Sequence, residues 1–146
     1  MNQTGDVLMA VRRTIKLYEQ CLAPVRRQYK LSGLEINVLS FLHNNPGLNT
    51  VAEISELRML SKGNVSQAAD SLLQRGYLRR EPDKKDRRLV HFLLEADAQP
   101  IITDILAAAD LFEQKLFVNF SPAQREEYRM LNKMCFTNVQ NSLEEG

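Results

Sequence analysis

"SKGNVSQAADSLLQRGYLRREPDKKDRR", residues 61 to 88, sets the architecture. On a wheel turning about 100° per residue, Ala68, Ala69 and Leu72 fall close to Val65, whereas Gly63, Gln67 and Gln74 point the opposite way, flanked by Asn64, Asp70 and Ser71. Residues 62 to 75 therefore form an amphipathic helix with a small, amide-rich outer face. Ser61 is its N-cap, and Gly76 supplies the left-handed position that ends it. Beyond Gly76 the period changes. "YLRRE" (77–81) and "LVHFLLE" (89–95) are short aromatic or β-branched runs, so they form a hairpin with "EPDKKDRR" (81–88) at its tip.

Upstream, Thr50 and Glu53 in "TVAE" make a capping box that opens a short helix through Ile54 and Leu57. Only "RML" separates that helix from Ser61. Two helices with a three-residue link, the second capped and polar on one side, are the pattern of a helix-turn-helix. Before them, Ser32 and Glu35 in "SGLE" open another helix through Val38, Leu39, Phe41 and Leu42, which "NNPG" stops.

Residues 8 to 29 place Leu8, Val11, Ile15, Tyr18, Leu22, Val25 and Tyr29 on one seam of a long helix, with Pro24 as the place for a bend. At the other end Ile102, Ile105, Ala109, Phe112 and Leu116 make one helical stripe. Ser121, Pro122 and Gln124 then start a last helix, with Tyr128, Leu131, Cys135 and Val139 as its seam. These terminal stripes lie outside the central unit and must be buried against something. A partner chain is the expected cover.

With 146 residues, 44% of them hydrophobic, the chain has the size of one domain with a packed core. Its formal net charge is only +1, yet the charge is unevenly spread. From Arg75 to Arg88 seven cations face three acids, while the rest of the chain holds twelve cations against fifteen acids. Such a local excess is the footprint expected where a polyanion docks.

The outer helix face suits the same partner. Gln67 and Asn64 can pair bidentately with adenine edges, Ser66 and Ser71 can serve either base, and Gly63 allows close backbone approach. Ser61, Lys62 and the first turn's N–H groups suit a phosphate. A two-stranded wing directly after such a helix would reach the adjacent minor groove, with Arg87 and Arg88 as inserting groups and Lys84 and Lys85 as phosphate contacts. Asp86 would hold an arginine fork in position.

The stretch "VAEISELRMLSKGNVSQAADSLLQRGYLRREPDKKDRR" resembles the winged helix-turn-helix core of the MarR (multiple antibiotic resistance regulator) family. The "SKGNVSQ" helix start, the "LLQRGYLRR" exit and "DKKDRR", similar to that family's D-x-R wing motif at Asp86 and Arg88, carry the likeness. It is strongest over residues 34 to 95. The resemblance implies a homodimer with interlocked terminal helices, binding a pseudo-palindromic operator in double-stranded DNA and repressing transcription. By position it places Asn64, Ser66 and Gln67 among base or phosphate contacts and Arg88 at the minor groove. Relatives often hold small aromatic or phenolic effectors between the dimer helices and the DNA lobe, which points to Tyr18, Tyr29 and His43. One departure is "LEADA", with Glu95 and Ala98 where the family has Thr and Gly; Asp97 is expected to cap the following helix instead.

No cofactor, metal site or catalytic residue is expected. His43 and His91 are the only histidines, neither lies at helical spacing from a Cys or a second His, and no Gly-rich phosphate loop occurs. Cys21 and Cys135 read as reduced packing thiols. The N-terminal pattern is not that of a signal peptide, and no run reaches membrane-span length, so a soluble cytoplasmic protein is expected. The resulting expectation is a mainly α protein: a winged helix-turn-helix lobe at 32–96 and a helical dimerisation lobe at 6–30 and 98–143. The rival reading, a winged-helix adaptor, would set the basic wing against an acidic protein instead of DNA.

Overall fold

The computed structural model describes residues 3–146. Helix α1 spans Gln3–Tyr29, α2 Gly33–Asn44, α3 Val51–Arg58 and α4 Lys62–Gln74. Strands β1 (Leu78–Pro82) and β2 (Val90–Leu94) follow, then a single 3-10 turn at Ala96–Ala98, α5 (Gln99–Leu116) and α6 (Pro122–Glu145). The strands pair antiparallel, with Leu78 opposite Leu94, Arg80 opposite Phe92 and Pro82 opposite Val90.

Local chemistry accounts for the helix starts. Ser32 with Glu35, Thr50 with Glu53, and Ser121 with Gln124 each form a complete capping box. Two of the first-turn N–H groups are thereby satisfied in each case. Ser61 accepts from the Asn64 N–H, and Gly76 at φ 79° ends the turn after α4. Asp97 makes no cap: it lies inside the 3-10 turn, whose preceding residue, Glu95, forms no side-chain cap either. The backbone tightens into α5 through that turn instead. Pro24 sits within a continuous α1, with Val25 buried immediately after it.

The chain packs as two compact units, one ending at Phe112 and another running Glu113–Gly146. In the first, Val65, Ala69 and Leu72 of α4 are fully buried among Ile36, Val38, Leu39 and Phe41 of α2, Ile54 of α3 and Phe92 of β2. Cys21, Leu22 and Val25 of α1 and Ile101, Ile102, Ile105 and Ala108 of α5 join this same core. Parts of the terminal helices α1 and α5 are thus built into the winged core. The seam of α1 divides, because Leu22 and Val25 meet the core while Leu8, Val11 and Ile15 stay more than half exposed.

In the second unit Phe117 is covered edge-on by Phe120 and Tyr128, with the Arg125 guanidinium 4.7 Å from its ring centre. Glu113 takes ion pairs from Arg125 and Arg129. No residue of α6 is buried. The expected seam of Tyr128, Leu131, Cys135 and Val139 consequently lies open.

Candidate nucleic-acid interface

Helix α4 presents the predicted polar face. Lys62, Gly63, Asn64 and Gln67 are exposed, and Ser66 is half-buried at the edge of the face. Ser61 uses one hydroxyl lone pair on the Asn64 N–H at 3.1 Å, which fixes the first turn and leaves its own O–H able to donate outward.

Beside this face lies a cleft of about 460 Å3. Its walls are Lys62 and Ser66 of α4 and Arg80, Arg88 and Leu89 of the wing, and its floor is the start of α3 at Thr50, Val51 and Ala52. The fold therefore brings Lys62, Ser66 and Arg88 around one concavity. Lys84, Lys85 and Arg87 stay on the exposed tip. Arg80, one of the cations of the Arg75–Arg88 excess, was given no partner from the sequence; it reaches Asp70 of α4 at 3.2 Å and ties the base of the wing to the helix. Both residues lay in the expected elements, but their pairing depends on how strand and helix pack.

Asp86 hydrogen-bonds the backbone of Arg88 and lies beside its guanidinium. Its Oδ1 accepts the Arg88 backbone N–H at 2.9 Å and lies 3.5 Å from the Arg88 Nε, while the arginine side chain is 92% exposed. The tip is further ordered by Asp83, whose Oδ2 accepts N–H groups of Lys85 and Asp86, and by a Leu89 N–H bond to the Asp86 carbonyl. A hydrogen bond from His91, followed by those two N–H groups, brings the Asp83 carboxyl down to about 2.

Ser71 turns away from the outer face. It is half-buried, and its hydroxyl donates to Glu35 of α2 at 2.9 Å. Glu35 is nearly buried, and burial works to raise its pKa. Hydrogen bonds from the Ser32 N–H and the Ser71 hydroxyl, with Arg75 nearby, outweigh that and leave it lowered.

Of the three residues proposed around an effector, Tyr18 lines a cleft. This one, of about 420 Å3, lies between α1 and α2 and includes Leu22, Arg26, Asn37 and Arg58. Tyr29 points elsewhere, its hydroxyl donating to Asp104 of α5 at 2.7 Å, and His43 is exposed on α2 without lining the cleft. Helical spacing aligned Tyr18 with Tyr29, but the end of α1 packs on α5 instead. Among the described residues no group of three or more His, Cys, Asp or Glu is placed to hold a metal ion. None of the described helices is long and apolar enough to cross a membrane.

Residues 29–89 match the model of the MarR family. This winged helix is similar to that family. The HTH-type transcriptional regulator PecS of Dickeya dadantii is 27% identical over 127 residues, which cover 86% of this chain and 76% of PecS. A MarR transcriptional regulator from Methanosarcina mazei superimposes with a TM-score of 0.83 at 21% identity, covering 94% of this chain and 98% of that one. The MarR-type fold also matches the MepR–DNA complex of Staphylococcus aureus, with a TM-score of 0.71 at 19% identity over 94% of this chain and 98% of MepR.

Proposed function

We propose that this chain is a sequence-specific, double-stranded DNA-binding transcriptional regulator of the MarR type, acting without catalysis as a homodimeric repressor on a pseudo-palindromic operator. The observation that carries the reading is the cleft joining Lys62 and Ser66 of α4 to Arg88 of the wing. Helix and wing there present a polar reading face and a guanidinium side by side, as a major groove and its neighbouring minor groove require. Asn64 and Gln67 read base edges, Ser61 and Lys62 hold phosphate, Lys84 and Lys85 add phosphate contacts, and Arg87 and Arg88 enter the minor groove. Ser71 is left out, since its hydroxyl is committed to Glu35.

Dimerisation is supported by apolar surface that the single chain leaves open. Leu131, Met134, Phe136, Val139 and Leu143 on α6 are each more than half exposed, as are Leu8, Val11 and Ile15 on α1. Large contiguous apolar faces mark interaction sites, and a second copy supplies matching ones under two-fold symmetry. The Tyr18 cleft, with Arg26 and Arg58, is the place where a small aromatic effector would release the operator.

The test is titration of the purified protein onto duplexes carrying inverted repeats with half-sites about one helical turn apart. Binding should be tight at low salt and fall steeply between about 50 and 200 mM, because phosphate contacts release counterions. Sedimentation should show two protein chains per duplex. Absence of duplex binding at low salt, with capture of an acidic protein surface instead, would establish the adaptor reading.

A further inference from the structure

His91, on β2, stands between two elements that the interface needs held together. Its Nδ1 lies 2.5 Å from Oδ1 of Asn49, in the segment entering α3, and its Nε2 lies 2.7 Å from Oδ1 of Asp83 at the start of the wing tip. Both ring nitrogens therefore face acceptor oxygens. An imidazole that donates from both nitrogens is an imidazolium.

We propose that His91 is a positioning residue for the Arg87–Arg88 tip, latching the wing to the start of α3 as an imidazolium held between Asn49 and Asp83. The inference rests on the DNA-binding reading for its consequence but not for its geometry.

The latch has a continuous hydrogen-bonded frame on either side. Toward the tip, Asp83 uses Oδ1 on the ring and Oδ2 on the N–H groups of Lys85 and Asp86, and Asp86 in turn holds the Arg88 N–H. Toward the body, the Asn49 N–H donates to the capping carboxylate Glu53 at 3.1 Å, and the Asn49 carbonyl accepts the Phe92 N–H at 2.9 Å. One ring thus connects the turn that carries the guanidinium groups to the N-terminus of α3, which floors the cleft beside α4.

Acidic groups surround the ring on three elements. Asp83 faces it from the turn, Glu53 acts on it from α3, and Glu81 is its cross-strand partner on β1. All three are acids. Loss of the proton removes one donor and the ion pair with Asp83 together, so the tip should loosen while the β1–β2 ladder and the Phe92–Asn49 bond remain.

Two properties separate this role from plain packing: it depends on pH, and it concerns the tip without the core. The experiment is nitrogen-15 NMR of the full chain without DNA from about pH 5 to 8, where histidine charge changes, on the parent, His91→Gln, His91→Ala and Asp83→Asn. Expected in the parent are two protonated ring nitrogens at the acid end, with the Lys85 and Asp86 amides shifting in step with the ring as pH rises. His91→Gln and Asp83→Asn should abolish that coupled shift with the α4 resonances unchanged. His91→Ala should raise tip amide exchange by about tenfold or more. A ring neutral throughout, or tip amides indifferent to both His91 variants in a folded chain, overturns the proposal. Duplex binding is measured separately: a latch seen by NMR in a protein that binds no duplex removes the DNA reading alone, whereas duplex binding with the same pH profile in parent and His91→Gln removes the latch alone.

Discussion

The Ser71 hydroxyl donates to Oε2 of Glu35 over 2.9 Å, joining α4 to α2 across 36 positions of sequence. Glu35 also accepts the Ser32 N–H through Oε1 at 2.9 Å, and Arg75 stands 4.0 Å from Oε2. Arg75 reaches on to the Lys30 and Tyr29 carbonyls at the end of α1. Glu35 thus ties α4 to α2, and Arg75 ties the end of α4 to the end of α1.

Replacing Glu35 by Gln should cost about 1.5–3 kcal/mol, the range for hydrogen bonds to a charged group, measured by urea unfolding at neutral pH. Because folding lowers the Glu35 pKa, its contribution is full above the ordinary carboxylate range and is lost as pH falls through and below it. Parent and variant should accordingly converge in stability in acid. Curves that stay parallel down the acid limb would contradict this account.

Met59, in the turn between α3 and α4, holds a left-handed backbone at φ 54° and is 83% exposed. A Cβ in that region is strained, and this side chain gains little burial to offset it. Met59→Gly should stabilise the protein by about 0.5–1 kcal/mol after glycine's own entropy cost, read as a rise in melting temperature.

Gln67 and Lys84 should fail differently on DNA. Gln67→Ala should weaken cognate binding by about 1–3 kcal/mol and relax preference at one base pair. Lys84→Ala should weaken all duplexes alike and reduce the salt slope by about one. Identical behaviour of the two variants on cognate and random duplexes would refute the division between reading and docking.

Asp86→Ala removes a negative charge from the tip, so a purely electrostatic wing would bind more tightly. If Asp86 instead orients Arg88 through the contacts at 2.9 and 3.5 Å, affinity for A·T-rich sites should fall about tenfold, or about 1.4 kcal/mol. Fluorescence anisotropy at fixed salt distinguishes the two signs directly.

Leu131, 52% exposed on α6, tests the proposed dimer. Leu131→Glu should leave helical content near the parent value and convert the protein to monomer at concentrations where the parent is dimeric. Sedimentation equilibrium with both species dimeric would place the contact elsewhere.

Much of this was legible because it is local. The capping boxes at Ser32, Thr50 and Ser121 span three residues each, and Gly76 ends its helix within one turn. The buried face of α4 follows from periodicity alone: Val65, Ala68, Ala69 and Leu72 fell on one side of the wheel and are all buried. The wing followed from the two short aromatic or β-branched runs that flank its tip. Asp97 escaped this logic, since the chain enters α5 through a 3-10 turn rather than a side-chain cap.

Periodicity and capping thus settle which segments are helices, where the hairpin turns and which way α4 faces, for each depends on neighbours within a few positions. Packing settled the rest. Tyr29 meets Asp104 rather than joining Tyr18, Ser71 is drawn inward by Glu35, and His91 is shared between Asn49 and Asp83. The Tyr29, Ser71 and His91–Asn49 pairings join groups 36 to 75 residues apart. Their partners are chosen by the three-dimensional crossing of helices and strands, which no short-range pattern in the chain encodes.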